Sequence, residues 1–191
     1  MKGHGAYLFG IRWKLIENLS YVSLEEFNRD CGWTVVGWLE VVIGQGKIGF
    51  YPDADMWPDG TEGLEGLQED ILYWFRSLWE GLIAVKTGEN YEIKLLNQNL
   101  MKLVLKPCEN TEEVEVSLNR SRTQVILWET KKPTWLEEKV EWTESVPLKE
   151  FEREIYMSLK QFIEMISDVN PQLLRSRWLQ ELSEAVNKEA M

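Results

Sequence analysis

The chain has 191 residues, 44% of them apolar and 28% charged, with a formal net charge of −11. That size and balance suit one folded domain of ordinary size with a real core, and they exclude an intrinsically disordered chain. The charge opposes binding to nucleic acid or to an anionic membrane, since both need clustered Lys and Arg, and Lys131-Lys132 is the one adjacent basic pair.

The opening MKGHGAYLFGIRW has a short apolar run broken by Gly10 and Arg12, which is not the pattern of a secretory signal. Residues 7–16 mix apolar and basic residues in a strand-like way. Ser23 and Glu26 then fit a capping box and predict a short helical turn ending near Gly32. WTVVGWLEVVI (residues 33–43) is rich in β-branched residues, and Gly44-Gln45-Gly46 before KIGFY predicts a hairpin.

FYPDADMWPDGTEGLE follows, with Asp53, Asp55, Asp59 and Glu62 around two prolines and Trp57. Residues 64–85 carry Leu64, Leu67, Ile71, Leu72, Trp74, Phe75, Leu78, Leu82 and Val85 at three- and four-residue spacing. That predicts a helix buried on most of its girth, capped by Asp59 or Thr61, with the acidic loop complementing its positive end. Thr87-Gly88-Glu89-Asn90 stops it.

YEIKLL, NLMKLVLK (closed by Pro107), EEVEVSL, TQVILWE and KVEWTES alternate apolar and polar residues. A turn at residues 119–122 joins the third to the fourth. Short connections favour an antiparallel meander with one wet face. Pro147 reads as a first-turn proline of a helix whose stripe is Leu148, Phe151, Ile155, Leu159, Phe162, Ile163 and Ile166. Asn170-Pro171 begins another, with Leu174, Trp178, Leu182, Ala185 and Val186. The expected fold is one α+β domain over residues 1–191. It has an antiparallel sheet of several short strands, one buried central helix and two C-terminal helices.

Chemistry-bearing motifs are sparse. His4 is the one histidine and stands in a Gly-flanked terminus, so nucleophile–imidazole catalysis and most transition-metal chemistry lack a residue to carry them. Cys31 and Cys108 have neither disulfide-framework nor zinc spacing; reduced thiols in a cytoplasmic setting are the expectation. GQGKIG lacks the strand-to-helix context of a phosphate loop. The acidic loop fails the EF-hand register from either Asp53 or Asp55. One metal arrangement stays open: Asp53 or Asp59 after proline, with Glu92 and Lys94 as an acid-x-Lys element, would serve a metal-dependent hydrolase or nuclease. Glu-x-Lys also arises on the wet face of any strand, as at Glu129-Thr130-Lys131.

Ten tryptophans are unusual. Trp33, Trp38, Trp74, Trp79, Trp128 and Trp142 lie in periodic segments and read as core, with Trp13 open between core and surface. Trp57 and Trp135 lie in proline-containing loops where no apolar period demands them. They read either as partner-binding hot spots or as lids folded onto the core.

The order of DILYWFRSLWEGL, a charged meander and PLKEFEREIYMSLKQFIEMI resembles, over about residues 35–166, small acidic bacterial α+β proteins. Some of those are immunity proteins that neutralise a cognate toxin. The resemblance is one of layout without a diagnostic motif, so it implies a fold and transfers no binding residue. The leading expectation is a non-enzymatic, cofactor-free protein that blocks a partner, a basic one suiting its charge. Asp53, Asp55, Trp57, Asp59 and Trp135 are the expected contacts. A carboxylate–metal hydrolase using Asp53, Asp59, Glu92 and Lys94, and a structural subunit of a larger assembly, are the alternatives.

Overall fold

In a computed structural model the described residues are 9–29, 35–52, 67–96, 100–109, 112–121, 123–126, 133–136 and 138–189, with the backbone alone described at 123–126, 133–136 and 188–189. Strand β1 (Phe9–Leu15) leads through a short 3-10 turn to α1 (Leu24–Arg29). The Ser23 hydroxyl accepts the Glu26 N–H at 3.1 Å, the N-cap bond that the capping-box reading requires.

Strands β2 (Val36–Ile43) and β3 (Gly46–Phe50) form the expected hairpin, turned at Gly44 with φ +56°. β2 lies at the centre, paired with β1, β3 and the two-residue β4 (Glu69–Asp70). The period-2 alternation of β2 sends Leu39, Val41 and Ile43 into the main core. Trp38 meets Phe50 edge-on at 5.8 Å, and Glu40, 7% exposed, pairs with Arg12 and Lys47.

Helix α2 (Ile71–Lys86) starts seven residues later than its apolar period suggests. Glu69 and Asp70 pair with Gly37 and Val36, and the Asp70 carboxylate accepts the Tyr73 N–H at 2.9 Å. Strand pairing and an Asp cap therefore fix the start at Ile71. The expected caps Asp59 and Thr61 lie outside the described residues. The buried-helix reading stands: Ile71, Leu72, Trp74, Phe75, Leu78, Leu82 and Val85 are all buried.

The later strands make a second sheet. β5 (Tyr91–Lys94), β6 (Met101–Pro107) and β7 (Glu113–Arg120) run as an antiparallel meander. β8 (Thr123–Ile126) and β9 (Pro133–Leu136) form a separate pair, after which β10 (Lys139–Pro147) returns beside β7. β7 runs on through Arg120, which pairs with Met101 and Lys139, so it takes in the first half of the expected turn. Leu103, Leu105, Val114, Val116 and Leu118 face the core. The other face carries Lys102, Lys106 and Glu115, yet Val104, Ser117 and Asn119 are buried there too, so it is only partly wet.

Pro147 ends β10 and sits one residue outside α3 (Leu148–Val169), rather than in its first turn. After Asn170 a 3-10 turn (Pro171–Arg175) intervenes, and α4 (Arg177–Glu189) starts only where Ser176 accepts the Leu179 N–H at 3.2 Å. α2 packs on β2 of the first sheet, on β5 and β6 of the second, and on α3; α3 packs in turn on β1, β7, β10 and α4. One hydrophobic cluster takes side chains from both sheets and from α2, α3 and α4. The fold is α+β.

Candidate functional site

On α2, Tyr73, Arg76, Ser77 and Glu80 follow one another at the i, i+3, i+4, i+7 spacing that places side chains on one face of a helix. This polar stripe turns away from the apolar one and faces Tyr91 and Glu92 of β5, Leu96 just beyond it, and Trp178 of α4. Together with Asp70 and Leu72 they line a cleft of about 370 Å³, a size typical of ligand and side-chain sites.

Hydrogen bonds fix its walls. The Tyr73 hydroxyl donates to the Lys94 carbonyl at 2.8 Å, fastening α2 to the end of β5. The Tyr91 hydroxyl donates to the Glu80 carboxylate. The other Glu80 oxygen lies 3.6 Å from the Arg76 guanidinium, which also stands 5.0 Å from the centre of the Trp178 ring. Arg177, outside the cleft lining, approaches the same ring at 4.4 Å.

The cleft alters the acidity of the groups that line it. Burial raises the Asp70 carboxyl above its ordinary value, outweighing the Tyr73 and Leu72 N–H bonds that favour its anion. Burial, with the Glu80 carboxylate next, pushes the Tyr91 phenol well up, and burial raises Tyr73 as well. At the rim Lys102 bridges Glu92 at 2.8 Å and Glu138 at 2.9 Å. These two bonds raise the Lys102 ammonium, while the bond from Lys102 lowers Glu138.

Of the residues singled out from sequence, Asp53, Asp55, Trp57 and Asp59 lie outside the described residues, as do His4 and Cys31. Trp135 pairs through its backbone with Gln124 in the β8–β9 hairpin; its side chain lies outside the description. Glu92 and Lys94 both lie on β5, Glu92 held by Lys102 and Lys94 offering its carbonyl to Tyr73. Among the described residues no three His, Cys, Asp or Glu side chains gather as metal ligands. Trp38 and Trp74 are core, and Trp13, Trp79 and Trp142 pack against it.

Only half of this cleft is written in local sequence. The spacing of Tyr73, Arg76, Ser77 and Glu80 marks a polar stripe on α2 beside the stronger apolar one. Trp178 reads as part of the α4 stripe, and nothing local ties it to Arg76. A second cavity, also about 370 Å³, opens between β1 and the end of α3 and is walled mainly by Trp13, Leu15, Leu19, Met165 and Val169. Lys14, Glu17 and Asn18 also line it.

No protein-family profile, curated protein or solved structure matches the chain.

Proposed function

We propose that this chain is a non-enzymatic binding protein of the inhibitor or immunity type, acting in the cytoplasm by occupying a surface of a basic partner protein. The observation that carries the reading is the make-up of the cleft between α2, β5 and α4. Tyr73, Tyr91, Trp178 and Arg76 line it, and Trp, Tyr and Arg are the residue types that dominate binding hot spots. Asp70, Glu80 and Glu92 add three carboxylates to that one guanidinium, on a chain of net charge −11. Such a surface speeds the approach of a positively charged partner and penalises acidic ones. The absence of any helix, among the described residues, long and apolar enough to cross a membrane is compatible with this setting.

The test is comparative affinity capture from the native host with the wild-type chain and with the double variant Tyr91→Ala/Trp178→Ala. The expected result is a basic protein retained by the wild type, released by raised salt, and lost with the variant. Co-expression of the chain should then relieve whatever growth defect the captured protein causes. Identical capture profiles for the two chains would remove the cleft from the reading, and failure to relieve the defect would remove the inhibitor role.

A further inference from the structure

The cleft contains a cation of its own, and the way that cation is held suggests what the cleft is built to receive. Among the described residues that line the cleft, Arg76 is the only basic one. It stacks on Trp178 at 5.0 Å, the arrangement by which an aromatic ring attracts a guanidinium. Its ion-pair contact is a long one, 3.6 Å to a Glu80 carboxylate whose other oxygen is taken by Tyr91. Asp70, also in the lining, feels Arg76 only through space. Its partly buried carboxylate accepts the Tyr73 N–H but has no cation in contact among the described residues, so an incoming positive charge gains a partner there.

We infer that the cleft between α2, β5 and α4 is a receptor for an arginine side chain presented by the partner, with Arg76 as a placeholder that yields its position over Trp178. The inference rests on the protein-binding reading above and names the group that enters. Trp178 supplies the ring face, Asp70 and Glu80 supply the countercharge, and Tyr73 and Tyr91 wall the guanidinium from water. Glu92 contributes less, because Lys102 already neutralises it.

The placeholder gives the test its sign. Removing Arg76 takes away a like charge from the cleft and leaves Arg177 as the one guanidinium on the ring, so an arginine ligand should bind more tightly; at an anion site the same change would abolish binding. The full chain, labelled with ¹⁵N-tryptophan, has ten tryptophans and so at most ten indole signals, and the Trp178 signal is identified by its absence in Trp178→Phe. Titration with N-acetyl-arginine methylamide should shift that signal saturably, while the uncharged citrulline analogue should not. Asp70→Asn, which can still cap α2, and Glu80→Gln should each weaken binding roughly two- to five-fold, and Arg76→Gln should strengthen it by a similar factor.

No shift, or an equal shift with citrulline, overturns the inference. So does a response to N-acetyl-glutamate methylamide that disappears in Arg76→Gln. The two readings fail separately. A basic protein captured equally well by wild type, Asp70→Asn and Arg76→Gln sinks the arginine receptor and leaves protein binding standing. Saturable arginine binding without any captured protein sinks protein binding and leaves the receptor.

Discussion

The indole N–H of Trp74 donates to the carboxylate of Glu69 at 3.1 Å inside the protein, where the two residues are 1% and 7% exposed. This bond ties the strand that precedes α2 to the second turn of the helix. A buried donor or acceptor left unpaired costs far more than a made bond contributes. Trp74→Phe removes the donor and part of the ring volume, and is expected to cost about 2–4 kcal/mol. Glu69→Gln keeps an acceptor oxygen and should cost about 1 kcal/mol. Urea unfolding of both variants checks the order; equal losses would mean that the bond contributes little.

Gly37 sits where β1, β2, β4 and α2 converge. A Cβ built there lies 2.3 Å from the Lys14 carbonyl oxygen and 3.0 Å from Ile71 Cγ1. The first neighbour is backbone in a paired strand and has no side-chain rotation with which to move away. Gly37→Ala is therefore expected to cost about 1–3 kcal/mol through strand displacement. Because Gly37 pairs with Glu69, it should also loosen the start of α2. Reduced hydrogen-exchange protection at Ile71, whose N–H bonds to Val35, would report that loosening; unchanged protection at lowered stability would confine the damage to β1 and β2.

What the sequence made legible was local. The β2–β3 hairpin, the Ser23 cap, the buried face of α2 and the stripe of α3 all follow from side-chain period, β-branching and turn residues within a few positions. The misplaced helix starts share one physical cause. Leu64 and Leu67 continue the apolar period of α2, but backbone pairing of Glu69-Asp70 with residues more than thirty positions earlier ends it at Ile71. Likewise Pro147 belongs to β10 because that strand finds β7 across an intervening hairpin. The cleft was legible by half: the α2 stripe lies in the sequence, whereas its meeting with Tyr91 and Trp178 depends on how β5 and α4 pack. The acids of the loop, Asp53, Asp55, Asp59 and Glu62, lie outside the described residues, and the proposed contact surface is that of Asp70, Tyr73, Tyr91 and Trp178.

Phe162 of α3 lies 4.9 Å from Phe75 of α2 and 5.7 Å from Trp13 of β1, while Trp13 and Phe75 are themselves 5.6 Å apart. Three rings from three elements thus close a triangle at the join of the first sheet with both long helices. Phe162→Ala should cost about 3–5 kcal/mol, and Phe162→Leu, which retains most of the volume, about 1–2 kcal/mol. A double-mutant cycle of Phe162→Leu with Trp13→Leu should return a coupling of about 0.5–1.5 kcal/mol, the contribution of ring geometry beyond area burial. A coupling near zero would make these rings interchangeable with aliphatic filling.

Asp70 gives the fold a pH dependence opposite to that of most paired carboxylates. Burial raises its folded-state pKa above the ordinary 3.8, with the backbone bonds from Tyr73 and Leu72 and the charge of Arg76 only partly offsetting the rise. The folded protein therefore holds the Asp70 proton more tightly than the unfolded chain does. The stabilisation linked to that proton is complete below pH 3.8 and is lost as pH rises through the higher folded value. Asp70→Asn keeps a capping oxygen but has no charge to desolvate. The stability of the variant relative to wild type should accordingly improve as pH rises from below 3.8 and level off once Asp70 is ionised in the folded protein. Paired denaturation curves at a series of pH values measure this difference while other titrating groups largely cancel. A difference that moves the other way would show that the helix N-terminus and its N–H bonds outweigh burial at Asp70.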